Sequence, residues 1–253
     1  MSEKISGLII TYNEEHNIKG VLNSFDICDE ILVIDSFSSD KTVQLASKHP
    51  KTRVISHCFE DFSSQRNFAL SKAKHDWVLF LDADERIPPC LRTEILSTLQ
   101  SADRKDAYYF YRLFFFENKP IRYSGTQRDK NFRLFRKSKC QYISEKLVHE
   151  TLHVDGEIGV LQNKLLHYSV RDLKSYKAKM AKYGQLKGKE LFQKQRRYNP
   201  FTQGIKTAFR FFKTYVLKLG FLDGKIGLRI ALLQSKYVYQ TYESLRDEWK
   251  NKK

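Results

Sequence analysis

Acidic side chains follow three apolar segments in the first hundred residues, and carboxylates in such positions can hold a metal ion or accept hydroxyl groups. The sequence is Thr-Tyr-Asn-Glu-Glu at 11–15, Asp-Ser-Phe-Ser-Ser-Asp at 35–40 and Asp-Ala-Asp-Glu at 82–85. If the three segments meet, their charges repel one another unless a cation or bound hydroxyl groups lie between them. A magnesium or manganese ion that holds a diphosphate would relieve this repulsion, with Asp82 and Asp84 as candidate ligands.

The apolar segments that precede these acids are short and β-branched, and they alternate with helical patterns. We expect strands at 5–10, 30–34, 53–56 and 77–81, and helices at 14–24, 41–48 and 63–73. This alternation is typical of βαβ units around a mainly parallel sheet. Ligands bind beyond the carboxyl ends of the strands in such a sheet, so the three acidic segments should meet at one edge.

The pattern changes in the second half of the chain. Aromatic, strand-like segments at 108–116 and 131–135 are separated by a turn-like segment at 117–120, and the chain past His167 is helical and basic. We therefore predict a Rossmann-like α/β domain over residues 1–170, with a mainly parallel mixed sheet and helices on both faces. A basic helical extension over residues 171–253 follows it.

Four segments resemble, in order and spacing, the motifs of family 2 glycosyltransferases of GT-A fold. They are Leu-Ile-Ile-Thr-Tyr-Asn-Glu-Glu at 8–15, Ile-Asp-Ser and onward to Asp at 34–40, Gln-Arg-Asn at 65–67 and Leu-Asp-Ala-Asp-Glu at 81–85. The resemblance implies that a nucleotide-sugar donor binds at this edge. The implied donor-binding residues are Thr11, Tyr12 and Glu14 around the base, Asp35 at the base or ribose, Arg66 facing the nucleotide, Asp82 near the ribose or metal, and Asp84 on the metal.

Later segments resemble a narrower bacterial subgroup that includes lipopolysaccharide core glucosyltransferases. These are Arg-Leu-Phe-Arg at 133–136, Leu-Val-His-Glu at 147–150 and Gly-Phe-Leu-Asp-Gly at 220–224. The resemblance implies a UDP-sugar donor and a saccharide acceptor, lipid-linked or part of a lipopolysaccharide core. Ser36 replaces the second aspartate that is common in the family, which departs from the usual ribose contacts.

Transfer in a single displacement needs a base that deprotonates the acceptor hydroxyl, and it inverts the anomeric centre. Glu150 is the candidate base, and His149 beside it could orient it or contact the phosphates. Arg133 and Arg136 could stabilise the leaving diphosphate or bind the acceptor. Alternatively, 149–150 only ends a strand, and the two arginines lie on opposite faces of another strand.

Several other features have more than one interpretation. Asp40 could be only a helix N-cap, and His167 could be a packed corner residue or a metal or phosphate ligand. A nucleotidyltransferase acting on sugar phosphates is the alternative enzyme, but it should carry a glycine-rich loop after the first strand, and 11–15 contains no glycine. A non-catalytic membrane-binding module is the alternative from another class.

The net charge of +16 is concentrated in the C-terminal third. Residues 1–170 contain 24 basic and 23 acidic side chains, whereas 171–253 contain 21 basic and 6 acidic ones. Apolar residues at 205, 209, 212, 216 and 219 form a stripe beside Lys206, Arg210 and Lys213. Such a helix fits an anionic membrane surface, or else packs its apolar face into a core. We expect no nucleic acid, because no nucleic-acid-binding motif is recognisable.

Composition and cysteine usage bear on the compartment. Hydrophobic residues make up 41% of the chain and charged residues 29%, which favours a folded protein over a disordered one. The four cysteines show no paired spacing, and the N-terminal residues lack the pattern of a signal peptide. No stretch reaches the roughly 18 apolar residues that would span a bilayer. We therefore expect a cytoplasmic protein that lies peripherally on the cytoplasmic face of the inner membrane.

Overall fold

The computed structural model describes residues 3–143, 151–170 and 173–252, except for the side chain of Ser175. Contacts divide the chain into two compact units, Met1–Arg112 with Asp129–His167 and Leu113–Arg128 with Tyr168–Lys253. Residues 113–128 thus belong with the C-terminal residues, although they lie within the predicted domain 1–170.

Strands and helices alternate through the first hundred residues. The strands are β1 Ile5–Thr11, β2 Glu30–Asp35, β3 Thr52–Ser56, β4 Trp77–Phe80, β5 Glu85–Arg86, β6 Ala107–Phe116, β7 Lys119–Ile121, β8 Lys130–Arg136, β9 Cys140–Ile143, β10 Thr151–Val154 and β11 Ile158–Val170. The helices are α1 Ile18–Leu22, α2 Thr42–Ala46, α3 Phe62–Lys72, α4 Pro89–Gln100, α5 Leu173–Gln193, α6 Pro200–Phe212 and α7 Gly224–Asn251.

The sheet of the first unit is parallel on one side and antiparallel on the other. Its order is β3-β2-β1-β4-β8-β6-β11-β5. The first four of these strands run parallel, with Thr11 opposite Asp35. Strand β8 pairs antiparallel with both β4 and β6, and β5 pairs antiparallel with β11 through His167 and Glu85. The predicted mixed α/β sheet of GT-A type is confirmed.

Side chains alternate between two cores, one on each face of this sheet. One core joins Ile9, Val33 and Leu79 to α1, α2 and α4. The other joins Leu8 and Phe80 to α3 and to the β9–β10 pair. Because successive residues of a strand point to opposite faces, β1, β2 and β4 bury both of their faces, as their apolar sequences predict.

Loops replace the ends of two predicted helices. Helix α1 begins at Ile18 and not at residue 14, because Glu14 N donates to Thr42 Oγ1 (2.8 Å) and Glu15 N donates to Asp40 Oδ2 (3.0 Å). Asp40 Oδ1 also accepts from Thr42 N (2.9 Å), the first N–H of α2. The N-cap of α2 is Lys41 and not Asp40, which lies one residue earlier and joins the first turn of α2 to the β1 loop.

The second unit contains a short hairpin and three helices. Glu117 and Asn118 have φ values of 47° and 61°, as the turn between β6 and β7 requires, and β7 pairs with the last residues of β6. Phe116 and Ile121 of this hairpin share a core with Val170 and with Ile230 of α7. Within the parts of the chain that the structure describes, no helix has the length and hydropathy to cross a bilayer.

Candidate active site

The carboxyl ends of β1 and β2 carry two loops that hydrogen bonds join. Buried Asp35 accepts from Thr11 Oγ1 (3.1 Å), Ser38 N (2.8 Å) and Ser38 Oγ (2.5 Å). Asn13 N donates to Ser38 Oγ (2.8 Å), and Asn13 Oδ1 accepts from Ser39 N (2.8 Å). Thr11 and Asp35, both predicted to bind the donor, thus hold the two loops in one arrangement.

Two aromatic rings project into solvent from these loops. The side chain of Tyr12 is 60% exposed and that of Phe37 is 64% exposed. Tyr12 directly follows the strand that pairs with both β2 and β4, where an open sheet binds its ligand. Its position therefore fits the predicted role at the donor base.

Glu14 lies in the same edge and faces the carboxylates of neighbouring loops. Its Oε2 accepts from Asn17 Nδ2 (2.8 Å). Burial raises the pKa of Glu14; the Asn17 hydrogen bond opposes this shift, and the charges of Asp84 and Asp40 add to it. The loops after β1, β2 and β4 therefore converge, as the sequence predicts.

Asp82 follows β4 and lies among arginines. Its carboxylate pairs with Arg66 Nη2 (2.9 Å) and, very closely, with Arg133 Nη2, which also donates to Glu85 Oε1 (2.7 Å). Burial would raise the pKa of Asp82, but Arg133 and Arg66 outweigh it and hold the pKa well below its usual range. Burial raises the pKa of Glu85 despite the same arginine. Each Asp82 oxygen therefore has a guanidinium partner.

Asp84 faces a different partner. His167 Nε2 lies 3.1 Å from Asp84 Oδ2, and the Asp84 side chain is 30% exposed. His167 comes from β11, whose pairing with β5 fixes it opposite Glu85. Among the residues that the structure describes, no three His, Cys, Asp or Glu side chains form a metal-binding group. Two such groups suffice where a metal takes its other ligands from phosphate and water, so Asp84 and His167 fit a divalent ion.

A cavity of about 300 Å³ adjoins Asp82 on the side away from β1. Arg66 and Arg133 line it together with Lys130 and aromatic side chains of β6, β8 and β9. The Arg66 guanidinium stacks over Phe80 (4.8 Å) and Tyr142 (5.4 Å). The cavity thus offers positive charge and aromatic surface beside the carboxylate edge.

The predicted arginine pair is not brought together. Trp77 at the start of β4 is opposite Arg136, so Arg136 lies at the other end of β4 from Asp82. Its guanidinium lies near Asp76 (3.9 Å) and Asp106 (3.7 Å). The expectation that Arg136 joins Arg133 at the diphosphate is corrected. Arg133 contacts Asp82 and Glu85, whereas Arg136 lies near Asp76 and Asp106. His149 and Glu150 lie outside the described residues.

The structure adds Glu85 and Arg112 to the predicted site and gives His167 a partner in it. Glu85 is fully buried between Arg133 and Arg112, whose Nη1 lies 3.4 Å from it, and His167 faces Asp84. Glu85 was visible as the third acid of its segment. Arg112 gave no local signal. His167 was a candidate metal or phosphate ligand, but its partner Asp84 is 83 residues away and could not be read from the sequence.

A family model described as glycosyl transferase family 2 matches residues 6–153, more than half of the chain. The chain belongs to glycosyltransferase family 2. An uncharacterized glycosyltransferase of Rickettsia felis is 30% identical over 286 residues, covering 99% of this chain and 98% of the relative. The lipopolysaccharide core biosynthesis glycosyltransferase LpsC of Rhizobium meliloti is 25% identical over 250 residues, covering 94% and 93%.

Solved structures with similarity to this glycosyltransferase include S. aureus TarS 1-349 in complex with UDP. The alignment covers 99% of this chain and 92% of that chain, at 16% identity and a TM-score of 0.49. Glucosyl-3-phosphoglycerate synthase from Mycobacterium tuberculosis, in complex with Mn²⁺, UDP and glucosyl-3-phosphoglycerate, covers 45% of this chain and 44% of its own. Its identity is 23% and its TM-score 0.38.

Proposed function

We propose that this glycosyltransferase transfers a sugar from a UDP-sugar to a saccharide acceptor, with inversion and with a divalent metal ion. The observation that carries the proposal is the convergence of Glu14, Asp35 and Asp84 at the carboxyl ends of three parallel strands. Carboxylates at this edge can hold the hydroxyl groups and the metal-bound diphosphate of a nucleotide-sugar.

The donor lies across the loops of β1 and β2. Tyr12 offers an exposed ring for the base, and Thr11 and Asp35 keep the loop beneath it in place. Glu14 faces the ribose or base from the same loop. Arg66 faces the nucleotide through the cavity beside Asp82.

Asp84 and His167 would hold the metal, as Mg²⁺ or Mn²⁺; the ring nitrogen favours manganese, since imidazole is a better ligand for transition metals. The ion would supply positive charge to the leaving diphosphate. Asp82, the other predicted metal ligand, also contacts Arg66 and Arg133 through its two oxygens. These arginines add positive charge at the same edge.

Glu150 is our proposed base for the acceptor hydroxyl, with His149 beside it. Residues 149 and 150 directly precede β10, and Thr151 at the start of β10 lines the cavity beside Asp82. This chain position supports an acceptor role for the cavity. Glu150→Gln should lower turnover strongly while UDP binding persists, because the loss acts on proton transfer. Near-normal turnover would assign the base elsewhere, with Asp129 or Glu145 the next candidate.

The acceptor that we propose is lipid-linked or part of a lipopolysaccharide core, and it is reached from the cytoplasmic face of the inner membrane. The name of the Rhizobium relative supports the lipopolysaccharide class. The apolar stripe of α6 supports a membrane surface, since it is exposed and not packed in a core: Ile205 is 53% and Phe209 54% exposed. The family match favours a glycosyltransferase over a nucleotidyltransferase or a non-catalytic module.

Calorimetric titration with UDP, with and without manganese, tests the donor and metal assignments. Wild type should bind UDP more tightly with the metal. Asp84→Asn and His167→Ala should each remove most of this gain, because each takes away a ligand. Asp26→Asn is the control: its carboxylate pairs with Arg92 on the surface, and the variant should match wild type. An unchanged manganese effect in Asp84→Asn would refute the assignment.

A further inference from the structure

Phe37 has a backbone conformation that is uncommon for a bulky residue. Its φ is 59°, in the left-handed region, where residues other than glycine, asparagine and aspartate are rarely found. Asn13 in the neighbouring loop has φ 55°, but asparagine tolerates this region. Residues held in such conformations concentrate at ligand sites, so the strain at Phe37 suggests a function.

Hydrogen bonds on both sides of Phe37 hold it in place. Asp35 before it accepts from Ser38 N and Ser38 Oγ, which closes the loop around Phe37. Ser38 and Ser39 after it bond to Asn13 in the other loop (2.8 Å each). The backbone at Phe37 is therefore held in its left-handed conformation before any ligand arrives.

The ring of Phe37 lies at the surface. Phe37 is 64% exposed, and no ring of the described residues stacks on it or on Tyr12. Tyr12 and Phe37 directly precede the bonded residues Asn13 and Ser38, so the two rings leave adjacent loops at the same sheet edge. Exposing an aromatic ring and straining its backbone both destabilise the free protein. A planar apolar ligand that stacks on the ring would offset this cost.

We propose that Phe37 forms, together with Tyr12, the aromatic surface on which the nucleobase of the donor stacks. The inference rests on the proposed function and adds a determinant of donor affinity to it. Every nucleobase presents a π-face, so stacking supplies affinity, and the loop polar groups supply orientation. Gly or a small residue at position 37 would relieve the backbone but lose this surface.

Equilibrium binding of UDP in the presence of manganese tests the proposal on the full-length protein. Phe37→Ala should weaken UDP binding about tenfold, the range that loss of one stacked ring gives. Phe37→Tyr should keep the affinity, whereas Phe37→Leu should lose most of it, because leucine keeps the apolar bulk but not the flat ring. The donor KM should rise in parallel with the loss of UDP affinity.

Two further variants separate stacking from a folding defect. Phe37→Gly suits the left-handed backbone, so its melting temperature should equal or exceed that of wild type while UDP binding is as weak as in Phe37→Ala. Phe201→Ala removes another ring, 74% exposed, and should bind UDP normally. Unchanged affinity in Phe37→Ala, or full affinity in Phe37→Leu, overturns the inference alone. Absence of UDP binding by wild type overturns the proposed donor and this inference with it.

Discussion

A buried ion network lies behind the carboxylate edge. Glu85 is fully buried, and Arg133 beside it is 2% exposed. Arg133 donates to both Glu85 and Asp82, and Arg112 adds a second cation at 3.4 Å from Glu85. Buried charges are costly unless they are paired, so removing one partner leaves the others uncompensated. The network therefore fixes the direction of Asp82. It also makes the fold sensitive to the substitution of any one of these residues.

Glu85→Gln should destabilise the fold by about 3 kcal/mol at pH 7, because it leaves buried positive charge without its anion. Urea denaturation of wild type and variant measures the difference. Glu60→Gln, at an exposed carboxylate, should change stability by less than about 0.5 kcal/mol. A cost for Glu85→Gln near that of the control would show that the charge of Glu85 does not stabilise the buried arginines.

The sequence predicted the acids of the site better than their partners. Asp35, Asp82 and Asp84 lie where strand ends require them, because a strand, its end and the next residue are local features. The pairing of His167 with Asp84 depends on the β11–β5 contact between distant segments. No local pattern carries such information, and the different surroundings of Arg133 and Arg136 likewise depend on β4.

At the level of elements, the parallel strands were predicted to within one residue at each end. The runs of β1, β2 and β4 are buried on both faces, so hydrophobicity alone locates them. Helix α1 begins later than predicted because side chains of Asp40 and Thr42 bind backbone N–H groups of the β1 loop. Those contacts join segments more than 20 residues apart, and helical periodicity does not report them.

Asp223, in the 220–224 segment, binds the loop that follows β7 in the second unit. Its carboxylate accepts from Arg122 N (2.9 Å), Tyr123 N (3.1 Å) and Ser124 Oγ (2.8 Å). The segment also packs tightly, since a Cβ on Gly227 would lie 1.7 Å from the Gly220 carbonyl oxygen. The resemblance at 220–224 therefore marks a structural clamp within this unit.

Asp223→Ala should destabilise the protein by about 2 kcal/mol, because it leaves backbone N–H groups and the buried Ser124 hydroxyl without an anionic acceptor. Hydrogen exchange should quicken at the amides of 122–123, and chemical denaturation gives the free energy. Asp247→Ala, whose carboxylate contacts only its neighbour Arg246 at the surface, serves as the matched control and should be nearly neutral. Slow exchange retained in Asp223→Ala would show that other contacts hold the loop.

At the level of the whole molecule, charge and apolar exposure coincide in the C-terminal residues. Residues 171–253 contain 21 of the 45 basic side chains but 6 of the 29 acidic ones. Phe209 is 54% exposed and Phe212 47% exposed, and Phe221 (45%) and Leu222 (52%) are exposed as well. A soluble face would be polar at these positions, so a partner that is both anionic and apolar fits best.

Anionic vesicles should bind the protein through this surface, and co-sedimentation measures the bound fraction. Each basic side chain near such a surface contributes about 1 kcal/mol, which salt weakens, whereas phenylalanines in the acyl boundary resist salt. Wild type should therefore pellet at low salt and partly at high salt, and Phe209→Ser with Phe212→Ser should lose the salt-resistant part. The control replaces two similarly exposed residues of α5, Tyr183→Ser with Leu186→Ser, and should bind as wild type does. Wild type that stays in the supernatant at low salt would mean that the stripe binds the acceptor or another protein surface instead of lipid.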